Sequence, residues 1–110
     1  MARRFPEGFR WGTATAAHQV EGGNWNNDWW AWEHAPNTVC EAPSGDAVDQ
    51  WHLYEQDIAL NAALGFGNYR FSVEWSRIEP EPGEFSVAAL DHFRRVCAAC
   101  HANGIEPVVT

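Results

Sequence analysis

Apolar positions recur along this chain with two different periods, and the points where the period changes divide it into strands and helices. Residues 11–17 are small and apolar and predict a short strand of little bulk. Ser44-Gly45-Asp46 offers a helix start, with Ser44 or Asp46 as the cap. Ala47, Trp51, Tyr54 and Ile58 then follow at spacings of four, three and four, which predicts an amphipathic helix to about Leu64. Gly65 is its natural stop, because the residue after a helix often needs positive φ. The alternating run Tyr69-Arg70-Phe71-Ser72-Val73 reads as a second strand, and Pro80, Pro82 and Gly83 mark a turn-rich link. Ser86 can cap a second helix whose apolar line is Leu90, Phe93, Val96, Cys97 and Cys100. Asn103-Gly104 ends it, and residues 105–110 begin a third strand.

Helical crossovers of a dozen residues between strands imply an α/β fold with a parallel sheet. Two helices cannot cover both faces and both edges of three strands, and an open edge at 105–110 would invite aggregation. Closing the sheet into a barrel removes the edge, so the pattern favours a chain that continues or pairs with another chain.

Between the first strand and the first long helix, residues 22–43 have no sustained period. Two adjacent glycines, four asparagines and two prolines make them a loop, with a short helical turn predicted over 28–34. Trp25, Trp29, Trp30 and Trp32 cluster here. A loop this long is usually functional or disordered, and tryptophans beside Asn and Asp suit a ligand with apolar faces and polar edges, such as a sugar.

Composition narrows the function classes. An apolar fraction of 45% and 14% aromatics exclude a disordered chain. The formal net charge of −8, with no lysine, argues against a nucleic-acid surface. No apolar run approaches a membrane span, and Arg3-Arg4-Phe5-Pro6 has no apolar signal-peptide core. With an odd number of cysteines, 3, these features set the expectation of a cytoplasmic protein without a disulfide framework.

Gln19 lies just past the first strand, where parallel-sheet enzymes place ligands. Its amide suits two neighbouring sugar hydroxyls, and it equally suits a loop cap bound to backbone. Glu21 reads as a polar ligand, a partner for an indole, or a residue facing water. Arg70 stands out inside a strand: facing a barrel interior it needs a carboxylate and would lower that acid's pKa, as a carboxylate nucleophile requires. Facing the helices, it would instead pack its stem and extend its head to the surface. Glu74 and Arg77 are expected to form a structural pair at the strand's end. Cys97-Ala-Ala-Cys100-His101 has the haem-attachment spacing, and also a redox or metal spacing. Its position on the apolar line of a helix favours small core residues, and Cys40 is isolated.

The run Phe5-Pro-Glu-Gly-Phe-Arg-Trp-Gly-Thr-Ala-Thr-Ala-Ala-His-Gln-Val-Glu-Gly22 resembles the start of family 1 glycoside hydrolases, the beta-glucosidase and beta-galactosidase group. So do Asp49-Gln-Trp-His-Leu-Tyr-Glu-Gln-Asp-Ile58, Tyr69-Arg-Phe-Ser-Val-Glu-Trp-Ser-Arg-Ile78 and Gly104-Ile-Glu-Pro-Val-Val-Thr110, in the family's order. Asn27-Asp-Trp-Trp-Ala-Trp32 resembles a loop variant of some bacterial and archaeal members.

The resemblance implies a (β/α)8 barrel roughly four times this length, with strands near 11–17, 68–73 and 106–110 as the first three of eight. An independently folded, flavodoxin-like half-sheet is the alternative fold. By resemblance, Gln19 is the glutamine that binds the innermost sugar, and Arg70 supports the nucleophile. His52, Asp57 and Trp75 match motif positions that read as structural, and Gln50 stands where many members have histidine.

The implied activity is retaining hydrolysis of terminal β-glycosides, with two glutamates roughly 5 Å apart as acid/base and nucleophile. The family's motifs for both glutamates fall outside residues 1–110, so these residues alone are expected to be inactive. No metal or organic cofactor is implied. The expected partners are a β-glycoside and the remainder of the barrel, as continuation or companion chain. The competing reading is a non-catalytic carbohydrate-binding or structural fragment built on the tryptophan loop.

Overall fold

The computed structural model describes residues 2–110. Three short strands, β1 (Gly12–Ala14), β2 (Asn68–Phe71) and β3 (Glu106–Val109), form one parallel sheet in the order β1-β2-β3. Between β1 and β2 lie α1 (Ala17–Val20), α2 (Asp28–Glu33) and α3 (Gln50–Ala63). Between β2 and β3 lie α4 (Trp75–Ile78) and α5 (Val87–Ala102). The β-α-β-α-β order is the one the periodicity predicts, and the open parallel sheet is consistent with part of a (β/α)8 barrel.

Register aligns Thr13, Tyr69 and Pro107 across the sheet, and Ala14, Arg70 and Val108 one step further on. Alternation then separates the faces. Tyr69 and Phe71 are buried with Ile58 of α3 and with Phe93, Val96 and Cys100 of α5. Burying each such side chain contributes about 1.5–3 kcal/mol. Polar ties pin α3 to the sheet: the Tyr69 hydroxyl bonds Gln50 (2.9 Å) and Thr15 (2.7 Å), and Thr13 donates to Asn61 (2.6 Å). Gln50 therefore serves the α3–β2 contact. Gly12 permits the close approach of β1 to β2, because a Cβ there would collide with the Asn68 carbonyl.

Several boundaries differ from the sequence reading. The first strand ends at Ala14, and Ala17 already starts α1. The helix expected from Asp46 begins at Gln50, because Ala47 (φ 47°) and Asp49 (φ 53°) take the left-handed conformation. Ser44 caps nothing there; its hydroxyl donates to Glu33 at 2.7 Å. Ser86 does cap α5, accepting from the Ala89 N–H, and Asn27 caps α2, accepting from the Trp30 N–H. On α5, Leu90 is 47% exposed while His92, absent from the expected apolar line, is buried. The buried stripe of α5 runs through Ala89, Phe93, Val96 and Cys100, and Leu90 falls outside it. Cys100 is fully buried, which pushes its thiol up to about 11 and leaves it protonated at neutral pH, a core residue and no nucleophile. Among the described residues, no helix is long and apolar enough to cross a membrane.

Candidate functional site

The C-terminal ends of β1 and β2 open onto a rim built from α1, the loop carrying α2, and α4. Gln19 sits on α1, exposed. It lines an open cleft of about 450 Å³ with His18, Trp29, Glu33 and Cys40. A second cleft of about 610 Å³ shares His18 and Trp29 and adds Asn27, Glu74 and Trp75. Trp29, Trp32 and Trp75 are all exposed at this rim, so indole faces and polar side chains lie side by side. Trp29 also stacks on the His18 ring, 6.4 Å between centroids and 22° apart in plane.

His18 locks this rim together. Asn27 Nδ2 lies 3.1 Å from His18 Nδ1, and Glu33 Oε2 lies 3.3 Å from Nε2. An amide N–H directed at Nδ1 leaves Nε2 as the nitrogen that carries hydrogen and donates to Glu33. Burial pushes Glu33 up, but hydrogen bonds from the Ser44 hydroxyl and backbone and from His18 outweigh it and hold the carboxyl below its ordinary value. The tryptophan loop is thus anchored at both ends to one carboxylate. The sequence places His18 with Gln19 and Glu21 at one rim, as observed, but gives no role to Asn24 or Asn27, although an Asn directly before a helical Asp-Trp-Trp is a readable cap signal.

Glu21 is 5% exposed, contrary to the reading in which it faces water, and it takes the role expected of Glu74. Arg77 Nε lies 3.1 Å from Glu21 Oε2 and 2.6 Å from Asn24 Oδ1, and its Nη2 donates to the Gly22 carbonyl at 2.6 Å. Glu74 does not pair with Arg77. One of its oxygens accepts from the Ser76 hydroxyl at 2.9 Å; the other accepts from Asn27 at 3.2 Å and Asn24 at 3.4 Å. The expected Glu74–Arg77 pair is therefore corrected, because the chain turns at Gly22 and brings Glu21 under α4. Gly22 is needed for that turn, with φ 86° and no room for a Cβ against the Asp46 carbonyl. Burial raises Glu21 to about 7, against the lowering effect of Arg77 and Asn24.

Arg70 projects from β2 on the face opposite Tyr69 and Phe71 and is exposed there. The reading that packed it against the helices is excluded by that alternation. Its register neighbours are Ala14 and Val108, which carry no charge, and among the described residues it has no salt bridge. Gln19 and Arg70 lie at the same end of the sheet but on different elements, and no hydrogen bond joins them. Among the described residues no group of three His, Cys, Asp or Glu is placed to hold a metal ion.

Comparison with known proteins agrees with this architecture. The family model "Glycosyl hydrolase family 1" matches residues 1–110. The chain is 43% identical to the coniferin beta-glucosidase of Pinus contorta, covering 96% of this chain and 22% of that protein. Among solved structures it is similar to the beta-glycosidase BGL167, with TM-score 0.91 and 64% identity over 96% of this chain and 25% of that one. It is also similar to a beta-glycosidase from Pyrococcus horikoshii, with TM-score 0.88 and 42% identity over 99% and 25% of the two chains. The chain thus spans about a quarter of the length of the proteins it matches.

Proposed function

The chain belongs to glycosyl hydrolase family 1, and from that premise we propose that it forms the first strands and helices of a retaining β-glycosidase. The substrate is a terminal β-D-glycoside, with a β-glucoside as the first choice. Gln19 binds the sugar in the innermost subsite. Arg70 supports the carboxylate nucleophile contributed by another part of the barrel. The observation that carries this reading is the rim itself: an exposed amide at Gln19 beside free indole faces, at the strand ends where parallel α/β folds bind ligands. Gln19 has an acceptor and two donors for neighbouring hydroxyls. An arginine close to a carboxylate keeps it ionised and ready to attack.

In this reading residues 1–110 alone do not turn over, because neither reacting glutamate is among them. The test uses the full-length protein and a 4-nitrophenyl β-D-glucoside. Gln19→Ala is expected to lower kcat/KM by about 10- to 100-fold, or ~1–3 kcal/mol, the value of a lost buried or charge-assisted hydrogen bond. An unchanged kcat/KM removes Gln19 from the site, and absence of turnover by the wild-type protein on any β-glycoside removes the activity.

A further inference from the structure

A third cavity, of about 440 Å³, opens between the Gly23–Asn26 turn, α4 and the N-terminal end of α5, and Gln19 does not line it. Among the described residues no carboxylate lines it either, in a chain of formal net charge −8. Its ionisable lining residues are Arg77, His92 and Arg95.

Three features of this cavity point the same way. His92 is 5% exposed, yet among the described residues its ring makes no hydrogen bond, and it lines the cavity. Its ring stacks on Trp51, 3.6 Å between centroids and 18° apart in plane, and the Arg77 guanidinium carbon lies 4.1 Å from the Trp51 ring centroid. The stack fixes both groups as cavity wall. The first turn of the 16-residue α5 contributes Ser86, Ala88 and Ala89 to the lining. The Ala89 N–H is capped by Ser86, while the Ala88 N–H has no partner among the described hydrogen bonds.

The charge count around the cavity is positive. Asp91 is shared between Arg94 and Arg95, one carboxylate for two guanidinium groups. Arg77 leans on Glu21, whose carboxyl is raised to about 7 by burial and so neutralises it incompletely near neutral pH. Burial, together with the positive charges of Arg95 and Arg77, holds His92 down at about 4, so at neutral pH it is an imidazole with one N–H to donate.

We propose that this cavity binds an oxyanion, a phosphate or carboxylate group, held by Arg95, the free side of Arg77, the His92 ring edge and the first turn of α5. Planar guanidinium forks and helix-start amides both match oxyanion geometry. The exposed face of Trp25 at the mouth offers a surface for the body that carries the anion.

The experiment measures Tm of the full-length protein at pH 7.5 against inorganic phosphate and, separately, citrate, at constant ionic strength set with chloride. Phosphate, citrate or both are expected to raise Tm saturably by about 2 °C, and the more effective ion identifies the oxyanion. Arg95→Ala, an exposed position that leaves the core intact, is expected to raise the half-saturating concentration about tenfold. Arg94→Ala, which removes the other guanidinium on Asp91 but lies outside the cavity lining, is expected to leave it unchanged. His92→Gln, which retains a donor, is expected to keep part of the effect. No saturable rise with either ion overturns the proposal, and so does an equal rise in Arg95→Ala, which would mark general screening of surface charge.

Discussion

The two faces of the sheet are built from the same strands yet obey different rules. On the covered face, Tyr69 and Phe71 meet α3 and α5, and the polar groups are bonded, the Tyr69 hydroxyl to Thr15 and Gln50 and the Thr13 hydroxyl to Asn61. On the open face, Ala14, Arg70 and Val108 form a row in which a small residue and a valine flank an arginine that has no salt bridge among the described residues. A row like this buries little and leaves a charge without a partner, so it contributes little to folding within these residues. The covered face supplies stability; the open face presents the charge that the proposed function assigns to a carboxylate outside residues 1–110.

The strongest way to break this comparison is at the covered face. Phe71→Ala in the full-length protein is expected to destabilise by about 3–5 kcal/mol in denaturant unfolding, through loss of burial and the cavity left behind. A shift below about 1 kcal/mol would mean that α3 and α5 do not pack on β2 as described.

The next effect belongs to the open face. Arg70→Met is expected to lower kcat about 100-fold (~2.7 kcal/mol), with a smaller change in KM, because a poorly ionised or misplaced nucleophile loses transition-state stabilisation. Its unfolding midpoint is expected to move less than that of Phe71→Ala. Equal losses in stability with kcat intact would make Arg70 a packing residue and erase the distinction between the faces.

The smallest effect lies in the helix layer, where two buried groups titrate in opposite senses. Glu21 has a folded-state pKa of about 7, above its ordinary 4.5, so its contribution is most favourable below about 4.5 and is lost as pH rises to about 7. His92 is lowered from 6.5 to about 4, so its contribution is fully present above about 6.5 and is lost as pH falls towards 4. Each is worth no more than roughly 3 kcal/mol, and across the shared window they oppose each other. His92→Gln removes one of them. The variant's stability relative to wild type is therefore expected to improve by about 2 kcal/mol between pH 7.5 and 4.5. A relative stability independent of pH would show that His92 is not held neutral by its surroundings.

The elements were legible because each carries its own local physics. The spacing of Trp51, Tyr54 and Ile58 requires a helix, and alternation at Tyr69-Arg70-Phe71 requires a strand. Ser86 and Gly65 are end signals that act over one turn. The motif order was legible for the same reason, and it led to the family. The start of α3 is not legible in the sequence because nothing local to Ala47 and Asp49, neither a glycine, announces positive φ; just before them Ser44 is tied to Glu33 across the loop.

What sequence alone determined was the β-α-β-α-β order, the Ser86 cap and the family; what only the tertiary structure decided was which charges meet. Arg77 stands three residues from Glu74 in the chain, and proximity suggested that pair. The turn at Gly22 instead brings Glu21, from 56 positions away, to 3.1 Å. Likewise nothing in the chain around His92 indicates that it will lie flat on Trp51. Local periodicity fixes an element because backbone geometry repeats over a few residues, whereas the partner of a charge depends on distances that exist only after the elements have packed.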